Sequence, residues 1–583
     1  MPRVALSYDN AGVAAVLDEI ADLLELKGEN VFRAVTYRAA ARSIRDLREP
    51  LREYLEQGRL ADIPKVGASV GEAITQLLTT GTAKRHEELK RAVPDGLLTL
   101  LRVPGVGPAT ARAIYDHLRI TTIDELEEAA RAGRLRALPK IQAKTEENIL
   151  RSISSLRQRT GRALISEARA AADEMVAHLR GAAKLTRISI AGSLRRWRET
   201  IGDIDIVVAA AKPAPVMDAL VRAASVERVV ARGDTKSSVI VARGMQIDLR
   251  VVPLVSWGAA LLYFTGSKEH NVRLRGLALR KKLTLNEYGL YRLGEEEGKP
   301  VASRTEEDIY AALGMDWIPP ELREDHGEIA AAAARALPAL VQVSDLRGDL
   351  HAHSNWTDGR DSVEEMARYA RGKGYEYLAL TDHSVGLGMT QGLNVERIRE
   401  RSKEIARVNA ALAPFRVLVG TEVEIRANGR LDYPDDVLSL FDVVSASVHS
   451  AFNQPRDVMT ARIVGAMRHP LVDAISHPTG RLLERRDPYD VDLAALIDAG
   501  VETGTRLEVN AGPERLDLPD FGVRLAVEKG AALVINSDAH AVEELDWIDL
   551  GVGTARRGWA TPERVQNTRS LKALLAAKKA KRR

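Results

Sequence analysis

The chain has 583 residues, 45% hydrophobic, 28% charged and 4% aromatic, which suits about four folded units of ordinary globular protein and excludes a disordered, collagenous or coiled-coil chain. It contains no cysteine, so disulfides, thiolate zinc fingers, iron–sulfur clusters and a thiol nucleophile are excluded, and any metal must be held by histidine, carboxylate or water. The formal charge of +3 conceals a division: residues 1–345 carry 51 basic and 46 acidic side chains, residues 346–570 carry 27 and 35, and residues 571–583 carry six and none.

No apolar run approaches the ~18 residues a membrane span needs, and Met1 to Asn10 lacks a signal-peptide pattern, so a cytoplasmic chain is expected. The first 160 residues read as successive helices. Val13, Val16, Leu17, Ile20 and Leu24 keep the 3.6-residue period, and an arginine-rich helix follows over Phe32 to Ile44. Two related passages interrupt them, IPKVGASVGEAI (Ile63 to Ile74) and VPGVGPATARAI (Val103 to Ile114), with a third, glycine-free copy from Leu138 to Leu150. A Gly-x-Gly turn opening a helix points N–H groups outward toward phosphate oxygens, which makes Val66, Gly67, Gly71, Gly105 and Gly107 candidate contacts in helix-hairpin-helix motifs that bind DNA without reading its sequence.

A helix over Ala163 to Leu179 then gives way to β-type runs, LTRISIAGS, DIDIVVAA, KSSVIVARG and MQIDLRVV. Asp203 and Asp205, two apart on a strand, leave the same face, and Asp248 supplies a third carboxylate from another strand. Three such carboxylates suit two hard divalent cations, Mg²⁺ or Mn²⁺, for nucleotidyl transfer. Upstream, Gly192 and Ser193 let backbone approach phosphates, and Arg196 offsets charge on the leaving pyrophosphate. The alanine-rich stretch Ile329 to Val343 reads as a connecting helix ending near Pro338.

Beyond Arg347 seven short β-like runs alternate with helix-length segments, most ending in a potential ligand, as the mouth of a seven-stranded α/β barrel requires. His351, His353, Asp358, His383, Glu422, His449, His477, Asp538 and His540 offer nine nitrogen and oxygen donors for two or three ions, Mn²⁺ or Zn²⁺ with iron as a further candidate. Such a cluster activates water for attack on a phosphoester. His469 falls outside the pattern. Arg481, Arg485 and Arg486 are positive patches through which DNA could reach this acidic half, and the basic end Lys578 to Arg583 reads as a solvated tail.

The GS-x-RR…GDID passage and the histidine cluster together resemble bacterial family X DNA polymerases with a C-terminal PHP (polymerase and histidinol phosphatase) domain, over nearly the whole chain. The resemblance implies a multidomain α+β and α/β fold: helix-hairpin-helix modules, a nucleotidyltransferase palm on a mixed sheet, and a distorted (β/α)₇ barrel. The expected limits are a DNA-end module over 1–92, fingers over 93–160, palm over 161–255, a nucleotide-selecting subdomain over 256–328, a linker helix over 329–345, the PHP domain over 346–570 and a basic tail over 571–583. It implies Asp203, Asp205 and Asp248 as catalytic ligands. In the stretch from Tyr263 to Leu290 it implies Tyr263, Phe264 and Gly266 at the sugar, Asn271 at the base edge and Arg275 toward the template. The expected activity is gap filling in DNA repair with 3′–5′ exonuclease or related 3′-end processing, by a monomer acting on gapped or nicked DNA and dNTPs. A template-independent transferase with a small-molecule phosphatase or structural barrel is the alternative. Two departures stand out: Ala73 occupies the place of the lyase lysine, and Lys268 stands where related repair polymerases carry aspartate.

Overall fold

A computed structural model describes residues 10–28, 31–45, 47, 50–94, 96–101, 103, 105–138, 141–159, 162–386 and 391–581. The chain forms two compact units, residues 1–160 and 161–583.

The first unit is helical. Val13, Leu17, Ile20 and Leu24, on the helix Asn10–Lys27, are buried, and the arginine-rich helix spans Val31–Arg45 with Ala34, Ala41 and Ile44 turned inward. Arg38 on its outer side pairs with Asp22 at 2.6 Å. The three related passages share one backbone hydrogen bond. In each, the second apolar residue donates its N–H to the carbonyl of the first: Val66 to Ile63 at 3.1 Å, Val106 to Val103 at 2.9 Å and Ile141 to Leu138 at 3.2 Å. Helices Ala68–Thr80, Pro108–Leu118 and Ala143–Arg159 start just beyond. Gly105 sits at φ +90°, where its lack of Cβ removes the strain, whereas Lys65 takes the same place in the first turn at φ +68°.

The second unit opens on a five-stranded mixed sheet: β1 (Arg187–Ile190), β2 (Asp203–Ala209), β3 (Val226–Arg232), β4 (Lys236–Val241) and β5 (Met245–Val252), in the order β1-β2-β5-β4-β3. Only β2 and β5 run parallel. Strand β3 escapes a pattern-based reading because it is an edge strand with no buried residue. The expected helix over 163–179 begins at Ile165, extends to Ala182, and packs with Pro213–Val221 on one face of the sheet through Ala168, Ala172, Met175, Val216 and Leu220. Leu516 and Leu550, from the barrel, belong to the same apolar cluster.

Helices Trp257–Thr265 and Lys268–Arg280 follow, with a hairpin of Leu283–Leu285 and Leu290–Arg292 and the helix Glu306–Ala312. The expected connecting helix is realised only as Glu328–Ala333. Arg335 turns left-handed at φ 55°, and Pro338 disfavours a helical residue before it, so the chain leaves the helix and buries Leu340 and Val341.

Seven parallel strands in sequential order form the barrel: β6 (Gly348–Ala352), β7 (Tyr377–Leu380), β8 (Arg416–Glu424), β9 (Val443–Ser447), β10 (Ala474–Ile475), β11 (Arg506–Asn510) and β12 (Leu533–Asn536). The first and last are stitched together just beyond β12, Asp538 N–H to His351 C=O at 2.9 Å and His353 N–H to Ala539 C=O at 2.8 Å. Tyr377, Ala379, Leu418, Val443 and Val534 make an apolar cluster with Leu574. On β8, Leu418 lies in that cluster, and Glu422 comes four residues later on the same strand face, in the polar mouth. The expected tail is a helix over Leu571–Lys581 whose Leu574 is buried against the barrel; the side chains from Lys578 onward, Arg582, Arg583 and the first nine residues lie outside the described residues. Among the described residues no helix is long and apolar enough to cross a membrane.

Candidate active sites

The parallel register of β2 and β5 sets Asp205 directly beside Asp248, and Asp203 beside Gln246. Ile204, Ile247 and Leu249 between them are fully buried, so alternation forces the three carboxylates onto the opposite, accessible face. Burial first, and then the negative charges of Asp203 and Asp248, push the Asp205 carboxyl up to about 7, against the partial relief of Arg196 and Lys236. Lys236 lies 3.5 Å from Asp248, which also accepts from Gln246 at 2.7 Å. Carboxylates held so close that one resists ionisation are oxygen donors short of positive charge, and they fit divalent cations.

Gly192, Ser193, Arg196, Asp203 and Asp205 line an open cleft of about 380 Å³ together with Tyr263, Phe264, Gly266, Lys268, Asn271 and Arg275. Every nucleotide-contact candidate read from the sequence therefore faces one space. Gly192 has a further necessity: it sits at φ +62°, and a Cβ there would overlap the Asp205 carboxylate. Tyr263 and Phe264 meet edge to face at 5.2 Å, and Asn271 donates its amide to the Tyr263 carbonyl at 2.8 Å. Arg195 and Arg196 are secured by groups that patterning does not reveal. Glu306 accepts from Arg195 at 2.7 and 2.9 Å, from Arg323 at 2.7 and 3.1 Å and from Trp317 at 3.1 Å, while Glu324 accepts from Arg196 at 3.0 Å. Burial opposes ionisation of Glu306, but Arg323 and Arg195 outweigh it and hold the carboxyl far below its usual range.

At the barrel mouth all nine expected ligands converge. His353, Asp358, His383 and His540 form one group, His351, His353 and Asp538 a second, and His383, Glu422 and His449 a third, with potential ligand atoms in each within 4.8 Å of one another. His477 joins through Glu422 at 2.9 Å. The Nδ1 atom of His353, a member of two of these groups, is buried without a hydrogen-bond partner, an expensive state that a bound cation relieves. Burial, followed by the neighbouring His540 and His383, lowers His353 to about 4; burial also opposes charging of His383, but Glu422 and Asp358 outweigh it and raise that ring to about 10. The sulfur-free donor set fits borderline divalent metals.

Behind the ligands stands a polar layer that sequence spacing missed. Glu508 receives His351 Nδ1 at 2.7 Å and the His477 N–H at 2.7 Å. Asn536 and Asn510 donate to Glu508 at 2.8 and 3.2 Å, and Asn510 also to Asp538 at 2.9 Å. Glu424 contacts His449 Nδ1 at 3.1 Å. A buried acid one strand-face repeat from a ligand, as Glu424 is from Glu422, was the available signal.

Some other expectations change and some hold. Arg481 is no open patch: it is nearly buried and pairs with Glu199 at 2.7 Å. Exposed Arg485 pairs with half-buried Glu514 at 2.9 Å, and Arg486 lies over Phe452 at 4.1 Å. His469 pairs with Asp435 at 3.2 Å, away from the cluster. In the helical unit Gly67, Gly105 and Gly107 are exposed and Gly71 is half-buried, while Val66 has its side chain in the core and its N–H spent within the turn. Ala73 is buried beside a cleft of about 410 Å³ that Lys84 also lines.

Four stretches of the chain match known domain families. Family models match for a helix-hairpin-helix domain over residues 8–83, a SAM-like helix-hairpin-helix tandem over 97–155, a DNA polymerase beta thumb over 260–324 and a PHP domain over 349–476. The DNA polymerase/3′-5′ exonuclease PolX of Bacillus subtilis is 38% identical over 562 residues, covering 96% of this chain and 97% of that one. The chain belongs to the PolX family. Two further relatives match parts of the chain: DNA polymerase lambda of Rattus norvegicus, 25% identical over 54% of this chain and 56% of its own, and a probable phosphatase of Thermoanaerobacter sp., 26% identical over 38% of this chain and 89% of its own.

Proposed function

We propose that this PolX-family polymerase fills short gaps in DNA at the aspartate cleft and processes DNA 3′ ends by phosphoester hydrolysis, including 3′–5′ exonuclease action, at the histidine mouth. The observation that carries this reading is the presence of two separate cation-fitting clusters within one compact unit, one of three aspartates beside an aromatic, arginine-lined cleft, the other of histidines and acids. Divalent cations, Mg²⁺ or Mn²⁺ at the first and two or three Mn²⁺, Zn²⁺ or iron ions at the second, supply charge neutralisation and water activation when bound.

The chain's own residues do the rest. Asp203, Asp205 and Asp248 orient the reacting groups, and Arg196 faces the triphosphate. Tyr263, Phe264 and Gly266 bound the sugar, Asn271 the base edge and Arg275 the template side. At the barrel, Glu508 keeps His351 oriented by accepting its Nδ1 proton, leaving Nε2 as the ligand atom. Residues 161–255 act as palm and 256–328 as the nucleotide-selecting subdomain, with the helical modules over 1–92 and 93–160 gripping DNA backbone through Gly67, Gly105 and Gly107. The protein works as a monomer in the cytoplasm, at the nucleoid.

A gapped-duplex assay with the wild type, Asp205→Ala and His353→Ala under Mg²⁺ and Mn²⁺ tests it. Extension is lost only in the first variant and 3′ shortening only in the second. Incorporation of all four nucleotides irrespective of the template base refutes template direction, and phosphate release from small sugar phosphates without action on DNA ends refutes the barrel assignment.

A further inference from the structure

The aspartate cleft is built in part by the barrel. The helix Ile548–Arg557, after the last barrel strand, ends on Arg557, whose side chain is 4% exposed. Its Nη1 donates to the backbone carbonyl of Arg196 at 2.8 Å and to Glu324 Oε1 at 2.9 Å. That same oxygen accepts from Arg196 Nε at 3.0 Å. On its other side Arg557 is neutralised by Asp520, at 2.9 and 2.6 Å. The next residue along, Trp197, lies against Gly553 of the same helix so closely that a Cβ on Gly553 would overlap the indole. The turn from Gly192 to Trp197 is thus held from behind by a barrel helix.

The charge pattern gives this contact a consequence. Two guanidiniums and two carboxylates share the hydrogen bonds of this group, one oxygen of Glu324 being divided between the two arginines, and Arg198 adds a further positive charge close enough to act on Arg196 and Asp520. Without Arg557, Glu324 would turn wholly to Arg196, and the group would lose one positive charge beside a cleft meant for a polyanion. The geometry points to Arg557 as a positioning residue for nucleotide binding: by sharing Glu324, it leaves the charge of Arg196 available to a nucleoside triphosphate in the cleft. This rests on the nucleotidyl-transfer reading above.

Steady-state extension on a gapped duplex, with 3′ shortening as the check that the barrel is folded, tests the proposal. Arg557→Ala raises KM for the incoming nucleotide about tenfold with a smaller change in kcat, because the lost charge acts in binding. Arg557→Gln, which keeps an N–H for the Arg196 carbonyl and perturbs folding less, gives the same rise. Adding Glu324→Gln to either variant brings KM back toward the wild-type value, which a purely structural role does not predict. An unchanged KM in Arg557→Gln, or failure of Glu324→Gln to restore it, overturns the proposal. Should Asp205→Ala still extend DNA, the nucleotidyl-transfer reading itself fails, a separate outcome.

Discussion

Gly192 and Asp205 compete for the same space to within one methyl group: the glycine's backbone lies so close to the carboxylate that a Cβ would overlap Oδ2. The turn before the second palm strand is therefore shaped around the aspartate as much as around any phosphate.

Gly192→Ala is expected to displace Asp205, and at φ +62° to strain the turn, cutting extension by about 100-fold, since misplacement by an ångström has that scale of effect. Shortening of 3′ ends should persist. Retained extension would show that the carboxylate can move without loss.

The raised carboxyl of Asp205 has a thermodynamic signature. In the folded chain it holds its proton up to about 7, while in the unfolded chain it ionises in the ordinary carboxylate range. Its contribution to stability is thus fully present below the ordinary aspartate value of about 4, declines as pH rises from there and is gone above about 7. In chelator, Asp205→Asn should melt close to the wild type at about pH 4 and above it at about pH 8, a gap that added Mg²⁺ narrows by stabilising only the wild type. Parallel melting at both pH values would contradict this.

Glu508 touches no substrate in this reading, yet it orients His351 and the His477 backbone. Glu508→Gln should weaken metal affinity and 3′ shortening by roughly 10–100-fold while extension continues. Removing the metals from the wild type with chelator and adding back Mn²⁺ provides the reference.

Glu306 gathers Arg195, Arg323 and Trp317 in a buried site. Glu306→Gln takes from buried Arg323 and Arg195 the carboxylate they share, and a loss of about 3–5 kcal/mol in chemical denaturation is expected. A loss below about 1 kcal/mol would mean that water repairs the gap.

Gly105 and Gly107 separate backbone strain from access. With φ +90°, Gly105→Ala should cost about 1 kcal/mol, whereas Gly107→Ala meets no atom within 4 Å and should leave stability unchanged. If both weaken DNA binding in fluorescence anisotropy, to a similar degree for unrelated sequences, the turn's exposed backbone is the contact.

That the candidate ligands would share a face was legible along the chain because strands present alternate residues to one side: DID, HxH and DxH spacings place carboxylates and imidazoles together before any fold is known. Strand-type runs alternating with helix-length segments foretold the seven-strand barrel, and the recurring glycine motif foretold the turns between the N-terminal helices. Partnership across distant segments was not legible. No local pattern links Glu324 to both Arg196 and Arg557, Glu306 to Arg195, or Glu508 to His351, since these pairs are 111 or more residues apart and meet only when two sheets and the intervening helices pack. Local spacing follows from the geometry of a single strand or turn; which buried charges balance one another depends on long-range packing, and folding alone brings them within reach.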